Sequence, residues 1–434
     1  MSSTATLTGI HDPSSPEYKK ARRRYLKTTR NRDSHVDSEW TLFRAAEKKY
    51  KTRFPPPDLS NVLDLAALDE SRVNEIGLGG WMGRRDATEW KEISPGRKAY
   101  VLPRIPGLVV LPSTVSHQEQ RDLIQWSLRD HARNPNETNL DTHYIVPQDG
   151  IWNAFIRSQQ PDGEDEMIHP QASSSSPPES CEALQPGPRK LISNDPASPD
   201  NFQTIATSPK VPAPPSNTVS PAPASALVHK LRWANIGWSY HWGSKQYDFS
   251  KEKVEVDPTL RGLCRRIVKS IEWTDVFRGG EATEADWGPE GPDWMHWKET
   301  YDPDAGIVNF YQTKDTLMAH VDRSEVCATS PLVSISLGNA AIFLIGGLTR
   351  DTEPTAILLR SGDVVIMSGP ACRRAYHGVP RILENTLPTH LEVKEENDSE
   401  WRFYADYMQT SRINVNVRQV FPMGFNPHLH DARK

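Results

Sequence analysis

Ser411-Arg412-Ile413-Asn414-Val415-Asn416-Val417-Arg418 alternates polar and apolar without a break. Successive side chains of an extended chain point to opposite faces. Arg412, Asn414, Asn416 and Arg418 therefore share one side, and Ile413, Val415 and Val417 share the other. Two arrangements fit: an ordinary strand with one wet face, or a strand whose polar side looks into the interior of a closed β fold. Its neighbours favour a β-rich region. Gly306 to Tyr311, Leu332 to Leu337, Ala341 to Ile345 and Val364 to Met367 are short and apolar, punctuated by Gly346-Gly347 and Ser361-Gly362-Asp363. Many short strands with glycine turns predict a sandwich, barrel or jelly roll. Within the first of them Asn309 and Tyr311 share one face, Val308 and Phe310 the other.

Between these strands lies a spaced triad: His320 and Asp322, then His377 in Tyr376-His377-Gly378. Residues i and i+2 of a strand point the same way, so His320 and Asp322 can reach one ion together. Two imidazoles and one carboxylate form the facial set that holds Fe(II) and leaves positions open. Alone the spacing is weak, because 14 histidines in 434 residues produce such pairs by chance. Beside it the two arginines acquire a purpose. The guanidinium fork grips a carboxylate through two hydrogen bonds and stays charged. Six residues of strand span ~20 Å, so Arg412 and Arg418 serve different places: one the remote end of a dicarboxylate, the other the metal side or Asp322.

Composition narrows the class. Hydrophobic residues make up 36% of the chain and there are 36 prolines, so part of it is expected not to pack. The net charge of -5 excludes a uniformly basic nucleic-acid binder, and any polyanion surface must be local. Four scattered cysteines lack the spacing of a zinc site and point to a reducing compartment. The two beside the triad, Cys327 and Cys372, are read as packing residues. No run of about 18 apolar residues appears, and the start lacks a secretion signal. The expectation is a soluble intracellular protein.

Along the chain, residues 1–57 read as a charged, partly helical extension. It carries the basic run Lys19 to Arg24, a solvated face or a nuclear address, and Pro55-Pro56-Pro57 stops the helix. Residues 100–157 form the first part of the catalytic region, with Ser116 as N-cap of a helix through Gln120, Leu123, Ile124 and Leu128. Residues 158–226 read as a disordered Ser/Pro-rich insertion. Residues 227–422 form the main domain, with its core at about 303–422, and 423–434 a tail.

Several motifs in order resemble the AlkB family of iron- and 2-oxoglutarate-dependent dioxygenases: Asn309-Phe310-Tyr311, His320 to Glu325, Pro331 to Gly347, Ser361-Gly362-Asp363, Tyr376 to Pro380 and Arg412 to Arg418. His-Val-Asp-Arg-Ser-Glu, the Ala341 to Leu348 block, Thr410 to Val420 and Leu231 to Trp238 look like its eukaryotic AlkB homolog 1 branch. The resemblance covers about 231–420, thins over 100–155 and fades before that. The Ser/Pro insertion looks peculiar to this chain.

The resemblance implies a mainly β (α+β) fold, a double-stranded β-helix or jelly roll with flanking helices. It implies Fe(II) on His320, Asp322 and His377, and 2-oxoglutarate held by Asn309, Tyr311, Arg412, Asn414 and Arg418, with Arg412 on the distal carboxylate. Arg418 and Arg373 are also candidates to orient the ligands. With O2 as second cosubstrate, the expected activity removes N-methyl groups from nucleobases, releasing formaldehyde, succinate and CO2. The partner would be methylated DNA or tRNA, in the nucleus or cytoplasm with a mitochondrial pool, and without a membrane.

Trp238 and Tyr247 stand where the family carries stacking residues, among Trp233, Tyr240 and Trp242, although an aromatic cluster is more often core. Arg323 and Arg373 are expected to line the mouth, and Lys245, Lys251 and Lys253 to meet phosphates or solvent. One departure matters. The bacterial archetype is acidic two residues after the iron-binding Asp, whereas this chain has Ser324 and then Glu325, so base preference does not carry over. Competing readings are an oxygenase acting on protein side chains, a non-catalytic nucleic-acid-binding module on the same fold, and a zinc hydrolase, which the paired arginines suit poorly.

Overall fold

The computed structural model describes residues 9–29, 40–93, 98–172, 195–277, 287, 292–393, 400–425 and 427. In chain order its strands begin with β1 Leu63–Asp64, β2 Lys91–Glu92, β3 Tyr100–Val101, β4 Leu108–Leu111, β5 Met167–Ile168 and β6 Ala222–Pro223. β7 Trp233–Gly237, β8 Tyr240–His241, β9 Gln246–Tyr247, β10 Ala305–Gln312, β11 Leu317–His320 and β12 Leu332–Gly338 follow. Then come β13 Ala341–Ile345, β14 Thr355–Leu359, β15 Val364–Met367, β16 His377–Ile382 and β17 Ser411–Arg418. Five helices matter below: α1 Pro16–Thr29, α2 Leu42–Lys51, α3 His117–Gln125, α4 Gly150–Ser158 and α5 Phe202–Thr207.

Two sheets face each other. One has the order β2-β3-β4-β15-β12-β17-β10-β7, the other β1-β14-β13-β16-β11. From β10 onward the chain winds between them: β10, β12, β15 and β17 lie in the first, β11, β13, β14 and β16 in the second. That winding is a double-stranded β-helix, as expected.

The alternation in β17 sets which side is which. Ile413, Val415 and Val417 pack outward with Val333, Ile335 and Val364 against Leu123, Ile124, Trp152, Leu263 and Tyr404 of the covering helices. The opposite, polar side of β17 therefore faces the space between the sheets, where Tyr311, Leu332, Phe343, Ile345 and Met367 form a second core. α3 is started by Ser116, whose hydroxyl accepts from the Glu119 N–H while Glu119 reaches back to the Ser116 N–H.

The second sheet is apolar on both faces, and what covers its outside differs from expectation. Ile342, Leu344 and Leu358 point out and are covered by Phe43 and Tyr50 of α2 together with Leu59, Val62 and Trp81. β1 adds as a parallel edge, Leu63 opposite Ile357. So α2 is part of the domain rather than of a separate extension, because an exposed apolar sheet face must be buried. α1 and α2 bear out the helical reading, with residues 30–39 outside the described set, and α2 ends at Lys51 before the three prolines.

The insertion also differs. β5 pairs with β6, Met167 opposite Pro223, closing its base. Residues 195–226 are described and partly buried: Ala197, Phe202 and Ile205 are 4%, 3% and 6% exposed, in one cluster with Trp238, Tyr247 and Phe421. Composition over the whole segment hid a few well-spaced apolar anchors. The Ser/Pro-rich stretch 173–194 lies outside the described residues. Of the tail, Phe425 stacks on Phe421 at 5.2 Å.

Candidate metal centre and its surroundings

β11 and β16 pair antiparallel with His320 opposite His377, and Asp322 follows two residues beyond the end of β11. Sheet pairing thus brings residues 57 apart in sequence onto one spot. One potential ligand atom from each of His320, Asp322 and His377 lies within 4.8 Å of the others. The imidazole centroids are 4.3 Å apart, and His320 Nε2 is 3.8 Å from Asp322 Oδ1. His320 Nδ1 lies 3.0 Å from the Met318 carbonyl, and His377 Nδ1 3.1 Å from that of Ala375. A carbonyl only accepts, so each Nδ1 carries the proton and each Nε2 keeps its lone pair for a metal. Burial, reinforced by His320, pushes His377 down to about 4, so it is neutral as a ligand should be.

Asp322 is fixed by three arginines. Arg418 Nη1 donates to its Oδ2 at 3.1 Å, Arg373 Nη1 stands 3.8 Å from the same oxygen, and Arg374 donates to its backbone carbonyl at 2.8 Å. Burial alone would raise this carboxyl. Arg418, the two histidines and Arg373 outweigh it and hold Asp322 well below the usual carboxylate range. Glu325, 2% exposed, balances the same cations: it accepts from Arg418 at 2.8 Å and from the Tyr247 hydroxyl at 3.2 Å, and lies 3.5 Å from Arg373.

At the other end of β17 the pattern reverses. Arg412 is 1% exposed and donates through Nη2 to Ser336 at 2.8 Å, while Nε and Nη1 are buried without a partner. Burial pulls its pKa down to about 10, against the opposing influence of Tyr311 and Asp363. Tyr311 sits directly across on β10, and Asn309 faces Asn414 two pairs further along. Asn414 donates to Ser334 Oγ at 2.8 Å and to the Ile335 carbonyl at 2.9 Å. A buried guanidinium with two free donors is the complement of an anion. Arg412 lies at one end of β17, and Arg418, which supports Asp322 of the triad, lies at the other.

Three relatives and one family pattern bear on this arrangement. The pattern described as "2OG-Fe(II) oxygenase superfamily" matches residues 192–418. The chain belongs to that superfamily and is AlkB homolog 1-like. It is 30% identical to the Schizosaccharomyces pombe "tRNA demethylase abh1" over 386 residues, 88% of this chain and 96% of that protein. It is likewise 30% identical to the Arabidopsis thaliana "DNA N(6)-methyladenine demethylase ALKBH1A", covering 89% and 97%. Against the Mus musculus "Nucleic acid dioxygenase ALKBH1" the identity is 26%, covering 86% and 77%.

Within this oxygenase the residues expected to meet substrate separate. Arg323 is exposed beside Asp322. Arg373 is not at the mouth: it is 1% exposed, donates to the Ser330 carbonyl at 3.1 Å and supports Asp322 and Glu325. Trp238 and Tyr247 are 8% and 1% exposed, packed with Phe249 and Phe421, so neither offers a face to a base. The more open rings are their neighbours. Tyr240 is half-buried and meets Ser324, and Trp242, 39% exposed, stacks on Trp233 at 5.0 Å. Strand alternation could not have separated the two sets, since Tyr240 pairs with Tyr247 across a hairpin too short to show a period. Lys245 is exposed and Lys251 pairs with Glu137 at 2.6 Å. Cys327 and Cys372 are buried, as expected.

Proposed function

We propose that this oxygenase removes N-methyl groups from nucleobases in DNA or tRNA, using Fe(II), 2-oxoglutarate and O2. The carrying observation is Arg412, a buried cation with two unpartnered donors in the same interior as the His320-Asp322-His377 triad. When bound, iron and 2-oxoglutarate supply O2-dependent hydroxylation of the methyl carbon coupled to release of succinate and CO2, after which the N-hydroxymethyl base sheds formaldehyde.

The chain's own residues hold and orient. Nε2 of each histidine and a carboxylate oxygen of Asp322 take the metal; Arg418 and Arg373 keep that carboxylate ionised and aimed. Arg412, with Tyr311 beside it, takes the distal carboxylate, and Asn309 and Asn414 line the space between. At the mouth, Tyr240, Trp242 and Trp233 present aromatic surface, and Arg323 and Lys245 present charge suited to a nucleic-acid strand whose base has left its stack. The relatives' names, two of them demethylases of nucleic acid, support the substrate class. The basic run 19–24 on α1 supports a nuclear pool beside a cytoplasmic one.

The test is Fe(II)-dependent formation of succinate and formaldehyde from single-stranded DNA and tRNA carrying defined N-methyl bases. Stoichiometric release of both, lost in His320→Ala, is expected. No stimulation of 2-oxoglutarate turnover by any such substrate, together with addition of oxygen to a peptide, would replace the reading with protein hydroxylation.

A further inference from the structure

The β8–β9 hairpin carries Tyr240 and Trp242 to the mouth, yet little within it holds its shape beyond the Ser244 N–H donating to His241 Nδ1 at 3.1 Å. Its strands are two residues each, Tyr240–His241 and Gln246–Tyr247, paired only with each other. A lone two-stranded hairpin is at best marginal in water, so its order must come from what packs on it. Gly237 turns the chain into it with φ +69°, where a Cβ would meet the Asp304 carbonyl, but this fixes only the entry.

Beside Ser324, which donates to the Lys245 carbonyl at 2.9 Å, and Glu325, which accepts from the Tyr247 hydroxyl at 3.2 Å, a further support is the segment 195–211, downstream of the Ser/Pro stretch. At one end the Ala197 N–H donates to the Arg323 carbonyl at 2.8 Å, one residue from Asp322. In the middle α5 buries Phe202 and Ile205, three residues apart on one helix face, against Trp238, Tyr247 and Val326. The Phe202 ring meets Phe249 at 5.2 Å, Phe421 at 5.5 Å and Phe425 at 5.1 Å. Phe249 in turn meets Trp238 at 5.2 Å and Tyr247 at 6.0 Å. At the far end His241 Nε2 lies 2.9 Å from the Val211 carbonyl. His241 Nδ1 accepts the Ser244 N–H at 3.1 Å, so Nε2 carries the proton and donates to Val211.

We propose that residues 195–211 are a strap that positions the β8–β9 hairpin for substrate, with Phe202 as its anchor. Phe202 touches neither the triad nor the Arg412 end and acts through the hairpin. The strap joins two parts of the mouth, the loop after Asp322 and the hairpin, which are otherwise separate in sequence. It therefore sets how firmly Tyr240 and Trp242 are presented. Its functional half rests on the demethylase reading; its structural half does not.

The experiment uses the full chain with Phe202→Ala, Phe202→Leu and wild type. Amide exchange over residues 240–247 is expected to rise roughly tenfold or more in Phe202→Ala, while exchange in β11 and β16 stays unchanged. The KM for a methylated oligonucleotide should rise about five- to tenfold, with KM for 2-oxoglutarate and substrate-free 2-oxoglutarate turnover within about twofold. Phe202→Leu, which keeps an apolar anchor, should recover most of both. If Phe202→Ala does not fold, Ile205→Ala, a smaller truncation of the same face, is read in the same way. Unchanged exchange at 240–247, or a loss of substrate-free turnover equal to the loss on substrate, overturns the strap. A wild type that no methylated nucleic acid stimulates defeats the demethylase reading instead, and the exchange measurement still decides the strap.

Discussion

Nε and Nη1 of Arg412 end in the interior with nothing to donate to. An uncompensated buried cation is destabilising, and even a paired buried ion is often replaced by apolar residues at no loss or with a gain of about 1–4 kcal/mol. Arg412→Met is therefore expected to raise the melting temperature of the ligand-free protein while abolishing the stabilisation that 2-oxoglutarate gives wild type. Thermal melts with and without 2-oxoglutarate check this, and a variant still stabilised by the ligand would refute it. Glu325 is the opposite case, a carboxylate that satisfies Arg418 and Tyr247 and stands beside Arg373. Glu325→Gln removes the charge that balances two buried guanidiniums, so both turn more fully onto Asp322 and draw electron density from the ligand. Metal affinity should fall by roughly 10–100-fold, as for other groups that orient a ligand. Titration of Fe(II) or Mn(II) reads it directly, and an unchanged affinity would show that Glu325 only fills space.

At the scale of elements, β11 is the edge of its sheet and carries His320, so it needs a partner on its free side. α2 provides one: the Ala319 N–H donates to Glu47 at 2.6 Å, and Glu47 is itself held by Arg44 at 3.1 Å. Glu47→Ala leaves that N–H buried and unsatisfied, at about 1–3 kcal/mol of stability, and loosens the strand that presents a metal ligand. Chemical denaturation and metal titration should both register it; a change in neither would mean that β11 is held by β16 alone. Much of the inner architecture was legible. The unbroken alternation of Ser411–Arg418 sorted the polar from the apolar face, with the inward-facing arrangement one of two that fit, and Ser116 gave the start of α3. The cover of the second sheet was not, because Phe43 and Val62 look like scattered apolar residues until the sheet they serve is placed. The hairpin was misread for a related reason. Two-residue strands have no periodicity, so Tyr247 and Tyr240 could not be sorted into buried and open from the chain alone, whereas the triad and Arg412 stood on regular strands.

For the molecule as a whole, acid is expected to act through histidines kept neutral inside. His131 lies outside the site, stacked on Trp126 at 4.4 Å with Nε2 unpartnered, and burial pushes it down to about 4 against the backbone of Asn235. The unfolded chain takes up this proton near pH 6.5 and the folded one only near 4. The stability tied to His131 is thus intact above 6.5 and falls as pH drops toward 4, by roughly 3 kcal/mol in total. The denaturant midpoint of wild type should fall relative to that of His131→Phe on that scale between pH 7 and 4.5, and a constant difference would refute the assignment. The parallel pairing of Leu63 with Ile357 has a consequence for synthesis. When β1 and α2 leave the ribosome, the sheet they cover does not yet exist, and about 300 residues must follow, or roughly 15–60 s at ~5–20 residues per second. Phe43, Leu63 and Leu65 spend that interval without their burial partners. A part of the chain made well before its partners is among the last to be satisfied, which makes it the natural point for a chaperone to hold and for aggregation to begin.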